Sequence, residues 1–126
     1  LMNFPAAQLP RHFDARKRWP LCSSIHDVPN QGGCGSCFAV AVAGVASDRS
    51  CIATNGSMQV KLSAEDIIGC CPACGDCYGG DPLKAFVYWV NEGLVTGQFL
   101  LLRRVKRNQN DCADSRDELK HIIDVY

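Results

Sequence analysis

The stretch Asn30-Gln31-Gly32-Gly33-Cys34-Gly35-Ser36-Cys37-Phe38 decides how the rest of the sequence is interpreted. Cys37 lies where a glycine-rich loop gives way to an apolar run, which suits a thiol at the start of a helix. Gln31 precedes it by six residues, so its side-chain amide could donate to an oxyanion that develops beside the sulfur. The pattern predicts a nucleophile at Cys37 and an oxyanion donor at Gln31.

Length and composition set limits on the rest. At 126 residues with 47% hydrophobic residues, the chain is one domain or one lobe of a larger one. Thirteen basic and thirteen acidic side chains give zero net charge, which argues against nucleic acid or an anionic membrane surface as a partner. No apolar run approaches the roughly 20 residues that span a bilayer, so no membrane segment is expected.

Cysteine usage indicates an oxidising compartment. The nine cysteines suit a disulfide-stapled protein, and their odd number leaves one thiol over, as a cysteine nucleophile requires. They are Cys22, Cys34, Cys37, Cys51, Cys70, Cys71, Cys74, Cys77 and Cys112. Asn55-Gly56-Ser57 is a glycosylation sequon in a polar stretch. Together they predict passage through the secretory pathway with a glycan site at Asn55.

The apolar pattern predicts a buried helix that carries the nucleophile. Residues 9–36 are rich in proline, glycine and polar residues and are expected to form an ordered, extended loop. A helix should start at Ser36 or Cys37. Residues 38–46 are apolar all round, so we expect this helix to be buried on every side and to end at the polar pair Asp48-Arg49.

Two further helices carry capping residues. One should start after Ser63 as N-cap, with Leu62 stapled onto Ile67. The next has Asp81 as cap, Pro82 in its first turn and Gly93 as its stop. Its predicted core face consists of Leu83, Phe86, Val87 and Val90. After residue 97 the character changes, and a capping box at Ser115-Arg116-Asp117-Glu118 predicts an amphipathic helix in the tail.

These motifs resemble those of cathepsin B-like members of the papain family. The family signature Cys-Gly-[Ser/Ala]-Cys-[Trp/Tyr] is met in its first four positions, and Phe38 replaces the usual tryptophan in the fifth. Leu62-Ser63-Ala64-Glu65-Asp66 and the stretch from Cys70 to Gly80 also match this branch. The resemblance covers residues 9–97.

The resemblance implies an α+β class with the papain-like cysteine peptidase fold, in which two lobes enclose a cleft. This chain would supply mainly the helical N-terminal lobe, with disulfide-rich loops, over residues 9–97. Residues 1–8 would be the end of a propeptide or linker. Residues 98–126 would be a divergent tail that ends in the amphipathic helix.

The resemblance also implies roles for individual residues. Cys37 would attack the peptide carbonyl to form a thioester acyl-enzyme, and Gln31 would stabilise the oxyanion. Gly79 and Gly80 would align the backbone of a protein or peptide substrate. No cofactor and no metal are expected, and the location would be lysosomal or extracellular. The implied disulfides are Cys22–Cys51, Cys34–Cys77 and Cys71–Cys74, with Cys112 as a candidate partner for Cys70.

The catalytic base is expected to be missing. The signature places the histidine and asparagine about 130–150 residues after the nucleophile, which lies beyond Tyr126. His12, His26 and His121 do not match that position and are interpreted as exposed or satisfied side chains. We therefore expect a truncated peptidase whose missing partner is its C-terminal lobe, inactive alone. The occluding-loop region does not follow residue 97, so no carboxydipeptidase activity is expected.

Two other interpretations remain open at this stage. The chain could be a non-catalytic secreted binding protein, or a truncated product, that uses a peptidase lobe. Cys71-x-x-Cys74-x-x-Cys77 has a spacing that could hold a metal or an iron–sulfur cluster, although secretory cysteine usage favours disulfides there. The basic run at residues 103–107 is interpreted as a solvated stretch rather than a binding patch.

Overall fold

The computed structural model describes residues 10–97. Predictions that fall on residues 1–9 and 98–126, including the tail helix, Cys112 and His121, lie outside the described residues. The elements are α1 (Ala15–Arg18), a 3₁₀ helix (Ser23–His26), α2 (Cys37–Ala53), α3 (Ala64–Cys70), β1 (Gly75–Asp76), β2 (Gly79–Gly80) and α4 (Pro82–Glu92). The segment before α2, predicted as an extended loop, thus contains two short helices.

Helix α2 begins at Cys37, as the sequence predicts, but it does not end at Asp48-Arg49 and continues to Ala53. Polar side chains near the predicted exit are accommodated within the helix. The Ser47 hydroxyl donates to the Ala43 carbonyl at 2.7 Å, and the Ser50 hydroxyl donates to the Ala46 carbonyl at 2.9 Å. Serine satisfied in this way can stay inside a helix.

The real end of α2 is a C-terminal motif that the sequence interpretation missed. Asn55 adopts a left-handed conformation with φ of 52°, which asparagine tolerates better than most residues. The Gly56 N–H donates to the Cys51 carbonyl at 2.9 Å, and the Asn55 N–H donates to the Ile52 carbonyl at 3.1 Å. This pair of hydrogen bonds is a Schellman motif. The Asn-Gly dipeptide was the available signal for it.

The core forms where α2 packs against α3 and α4. The buried face of α2 consists of Phe38, Ala39, Val42, Ala43, Ala46, Ser47 and Cys51. Ala41 and Val45 lie on the opposite side and are exposed. The prediction that α2 is buried all round is therefore wrong for the part of the chain that the structure describes.

Helix α4 has the predicted ends but not the predicted core face. Its N-cap Asp81 accepts the Leu83 N–H at 2.8 Å, and Gly93 is the C-cap with a φ of 79°. The core side is occupied by Ala85 and Tyr88, whereas most of the predicted face is exposed. The exposed members are Leu83 at 69%, Val87 at 52% and Val90 at 77%.

A second set of contacts fixes α3 to the segment that follows α4. The predicted N-cap Ser63 accepts the Glu65 N–H at 3.2 Å, and its own N–H donates to the Val95 carbonyl at 2.9 Å. The buried carboxylate of Asp66 accepts the Val95 N–H at 3.3 Å. Leu62 and Ile67 belong to the same core cluster, as the predicted staple requires. The start of α3 is thus held by both backbone and side chains.

Disulfides connect the loops and the hairpin with the helices and with one another. Cys22–Cys51 ties the start of the 3₁₀ helix to the end of α2, Cys34–Cys77 joins the loop before α2 to the β-hairpin, and Cys71–Cys74 closes the turn after α3. These are the three pairs that the resemblance implies. Cys70 is also disulfide-bonded. No helix within that range is long and apolar enough to cross a membrane.

Candidate active site

Cys37 has the accessibility that a nucleophile needs. It is exposed, and within residues 10–97 it is the one cysteine outside a disulfide. It is the first residue of α2, with Ser36 as N-cap. The first N–H groups of a helix have no intrahelical acceptor, and no acceptor in the described chain takes up the Cys37 N–H. The sulfur therefore lies beside a free backbone donor at the positive end of a 17-residue helix.

The loop before Cys37 is shaped by glycine and by one asparagine. Gly32 has a φ of 64°, a left-handed conformation that glycine adopts without steric cost. Its N–H donates to the Asn30 side-chain oxygen at 2.8 Å, which closes the turn around Gln31. The Gln31 side chain is exposed. The turn thus leaves the Gln31 amide accessible from solvent.

This loop is joined tightly to the hairpin that follows α3. The Cys34–Cys77 disulfide brings the two Cα atoms to 4.5 Å. Next to it, the Gly35 N–H donates to the Cys77 carbonyl at 2.7 Å. A Cβ on Gly35 would lie 2.7 Å from the same carbonyl oxygen, so only glycine fits here. A covalent bond and a hydrogen bond therefore fix the nucleophile loop to the hairpin.

The hairpin presents Gly79 and Gly80 to solvent. In the two-stranded sheet, Gly75 is opposite Gly80 and Asp76 is opposite Gly79. Both glycines of β2 are exposed, and Gly79 has a φ of 134° that side chains rarely adopt. Strand β2 pairs with β1 alone among the described residues, so its other edge can accept an extended peptide by strand addition. The sequence interpretation named the two glycines but did not foresee the hairpin.

The other titratable groups do not complete a catalytic set in the described residues. His12 and His26 are exposed, and no hydrogen bond joins either of them to Cys37 within residues 10–97. No group of three histidine, cysteine or acidic side chains that could hold a metal occurs in this range. Cys71, Cys74 and Cys77 are all in disulfides, so the alternative of a metal or iron–sulfur run is wrong.

The sequon asparagine lies away from this cluster in the chain. Asn55 is exposed in the turn that ends α2. The Ser57 hydroxyl of the same sequon donates to the Thr54 carbonyl at 2.8 Å. The turn thus presents the Asn55 side chain to solvent, where a modifying enzyme could reach it.

Comparisons with known proteins agree with this geometry. The profile of the family described as "Papain family cysteine protease" matches residues 9–125. The chain is 51% identical over 90 residues to cathepsin B-like cysteine proteinase 6 of Caenorhabditis elegans, covering 71% of this chain and 24% of that protein. It is 49% identical over 90 residues to cathepsin B-like cysteine proteinase 1 of Ostertagia ostertagi, covering 71% of this chain and 26% of that protein. The chain thus spans about a quarter of the length of these curated relatives.

A solved structure supports the same assignment. The fold is similar to that of proCathepsin B S9 from Trypanosoma congolense, with a TM-score of 0.69 and 34% sequence identity, over 77% of this chain and 35% of that chain. The helix-rich structure with its short sheet and disulfides confirms the α+β, papain-like fold class. Since the family profile matches nearly the whole sequence, the chain belongs to the papain family of cysteine proteases and is cathepsin B-like in sequence.

Proposed function

We propose that this chain is the nucleophile-bearing lobe of a cysteine peptidase that hydrolyses peptide bonds in proteins or peptides. The observation that carries the proposal is the exposed free thiol of Cys37 at the start of α2. The loop that precedes it is fixed to the hairpin that contains an exposed glycine strand by a disulfide and a backbone hydrogen bond. A nucleophile and a surface for extended peptide are thereby held in one rigid unit.

In the proposed reaction, the Cys37 thiolate attacks the carbonyl carbon of the scissile bond and forms a C–S bond. The π electron pair moves to the oxygen, where the Cys37 N–H and the Gln31 amide stabilise it. When this intermediate collapses, the C–N bond breaks and the amine leaves with a proton from an imidazolium. The imidazole then takes a proton from water as the water attacks the thioester, and cleavage of the C–S bond releases the acid and returns the Cys37 thiolate beside the imidazolium.

The base that this reaction needs is proposed to come from outside residues 10–97. An isolated thiol is only a few per cent thiolate at neutral pH, and the large activation in such enzymes comes from an adjacent imidazolium. The uncovered side of α2, with Ala41 and Val45, supports a second lobe as the source, because a lobe packed there would lie beside Cys37. We therefore propose that residues 1–126 alone are inactive, with a histidine and an asparagine supplied by that lobe.

The hydrogen bonds of residues 94–97 support a C-terminal boundary for the proposed lobe. Residues 9–97 would form the N-terminal lobe, whereas residues 1–8 would belong to a propeptide or linker and residues 98–126 to a divergent tail. The last described segment, residues 94–97, is fixed to the start of α3 by the hydrogen bonds of Val95 and by the bridge between Leu62 and Thr96. Limited proteolysis should therefore cut outside residues 9–97 before it cuts within them.

The proposed location is the lysosome or the extracellular space. Seven described cysteines are in disulfides, which persist in oxidising compartments and are rare in the cytosol. The exposed sequon at Asn55 also fits passage through the secretory pathway. Fractionation of the native host tissue, followed by mass spectrometry of each fraction, would test this location directly.

Site-directed labelling tests the proposed activity. A peptidyl epoxide carries a peptide backbone to the thiol, whereas iodoacetamide alkylates any exposed thiolate. In the full-length protein, meaning residues 1–126 together with the proposed second lobe, we expect saturable, peptide-dependent labelling at Cys37. In Cys37→Ser we expect no labelling at this position. Peptide hydrolysis should be abolished by the same substitution.

The opposite outcome would favour the second class of function. A folded, stable full-length protein whose Cys37 reacts with iodoacetamide but shows no saturable reaction with any peptidyl epoxide would be a non-catalytic binding protein. The peptidase proposal would then be withdrawn. Comparing residues 1–126 with the full-length protein in the same assay tests separately whether the second lobe supplies the base.

A further inference from the structure

Phe38 occupies a position that links the nucleophile to the glycine strand. It follows Cys37 directly in the first turn of α2 and is only 5% exposed. Its ring lies against Gly80: a Cβ placed on Gly80 would come within 2.5 Å of Phe38 Cε1 and closer still to Cζ. The ring therefore already fills the space on that side of the strand.

Gly80 is also closed in from a second direction. The same Cβ position lies 2.5 Å from the carbonyl oxygen of Cys74. That oxygen accepts the Asp81 N–H at 2.8 Å, which fixes it in place. Gly80 is thus held between the tip of the Phe38 ring and the Cys74 backbone, and the length of the side chain sets how far β2 stands from the first turn of α2.

We propose that Phe38 is a positioning residue, whose ring holds the Gly79–Gly80 edge at the distance from Cys37 that a bound peptide requires. The inference rests on the proposed function, because it assigns a role within the same peptide site. Its physical basis is that Cys37 and Phe38 share a peptide bond. The nucleophile and the support for the substrate strand therefore belong to one rigid helical turn.

The shape of the side chain matters more than its volume in this arrangement. A planar ring presents a rigid edge to Gly80, formed by its Cε1 and Cζ atoms, whereas a leucine would leave a gap into which β2 can sink. Phe38 stands where the resembling family usually has tryptophan, and an indole is also planar. Tryptophan should therefore replace phenylalanine here with little effect on the position of β2, and leucine should not.

The test compares two labelling reactions of Cys37 in the full-length protein. Iodoacetamide needs no peptide edge, whereas a peptidyl epoxide does, so the ratio of their second-order rate constants reports the geometry of the edge. We expect Phe38→Leu to lower the peptidyl-to-iodoacetamide ratio about tenfold, which corresponds to one weakened backbone hydrogen bond. Phe38→Trp should keep the ratio within about threefold of wild type.

A matched control separates positioning from general loss of stability. Val42 is fully buried on the same helix and in the same core cluster. None of the three atoms nearest to a Cβ placed on Gly80 belongs to Val42. Val42→Ala should lower the melting temperature and leave the labelling ratio unchanged. If Phe38→Leu does not fold, Phe38→Met fills a similar volume without a ring and carries the same expectation.

The possible outcomes discriminate between this inference and the proposed function. A ratio that is unchanged in the ring-free variant, or lowered equally by Val42→Ala, overturns the positioning role and leaves the peptidase proposal intact. A wild-type protein that shows no peptide-dependent labelling at all overturns both. A ratio that falls in the ring-free variant and is retained in Phe38→Trp supports the inference.

Discussion

Replacing Gly35 with alanine should loosen the joint between the nucleophile loop and the hairpin, because there is no room for a Cβ. An ideal Cβ on Gly35 would lie 2.7 Å from the Cys77 carbonyl oxygen, well inside van der Waals contact. That oxygen cannot retreat freely, since it accepts the Gly35 N–H at 2.7 Å and Cys77 is held by its disulfide to Cys34. Alanine must therefore push the two backbones apart.

The expected cost combines two effects. Forcing an extra methyl group into a filled space typically costs about 1–3 kcal/mol. Weakening the hydrogen bond from the Gly35 N–H adds on the order of 1 kcal/mol. The free energy of unfolding of Gly35→Ala should therefore fall by about 2–4 kcal/mol. Peptide-dependent labelling of Cys37 should fall as well, because the hairpin is displaced.

Urea unfolding followed by tryptophan fluorescence measures this difference. Gly33→Ala is a matched control in the same loop, because a Cβ there meets nothing within 4 Å. It should change the free energy of unfolding by no more than about 0.5 kcal/mol. If the two variants were equally stable, or if Gly35→Ala matched wild type, the close contact between Gly35 and Cys77 would not be a real constraint.

Four other changes have defined expected outcomes. Gln31→Ala should lower kcat for peptide hydrolysis by about 100- to 1000-fold with unchanged melting temperature, because one oxyanion donor is lost; an unchanged kcat would remove Gln31 from the site. Secretion from a eukaryotic host should give a protein whose mass falls on treatment with an N-glycosidase, and Asn55→Gln should abolish that shift; a shift that persists in the variant would contradict this. Ser63→Ala should cost about 1 kcal/mol in urea unfolding through loss of the α3 cap, and Ser63→Thr should cost less. The hydrogen bond from the Arg16 side chain lowers the pKa of Asp14 below its ordinary value. The difference in unfolding free energy between wild type and Asp14→Asn should therefore be complete at neutral pH and vanish as the pH falls through that lowered pKa. A difference that persists at the lowest pH would show that the charge is not its cause.

Features fixed by one side chain and its neighbouring backbone could be predicted from the sequence. Ser63 and Asp81 cap helices because their side-chain oxygens accept the N–H groups two residues ahead. The start of α2 at Cys37 follows from the change from glycine to apolar residues. Of the candidate site, the exposed free thiol at the start of α2 belongs to this class. The roles of Gly79 and Gly80 were implied by the resemblance, and those roles and that of Gln31 stay predictions.

The face of a helix that becomes buried depends on which other helix packs against it, and this could not be predicted from the sequence in the same way. Helix α4 is apolar on most of its circumference, so its periodicity does not identify the side that is buried. The buried residues of α4 are Ala85 and Tyr88, which belong to the core cluster formed with α2. Leu83 and Val90 are larger and more hydrophobic than Ala85, yet they remain exposed. Packing against α2 decided the buried face, and the position of a neighbouring helix is not part of a hydrophobic pattern.

The two long-range disulfides should stabilise the fold by similar amounts, but they hold different parts of it. Cys22–Cys51 and Cys34–Cys77 span 29 and 43 residues, and loop-closure entropy depends only weakly on such a difference. In the chain-entropy estimate each contributes about 4 kcal/mol to the free energy of unfolding. They differ in position, because Cys22–Cys51 holds the far end of α2 whereas Cys34–Cys77 holds the hairpin beside Cys37. Loss of either should destabilise the fold to a similar extent, but only loss of Cys34–Cys77 would free the Gly79–Gly80 edge from the nucleophile loop.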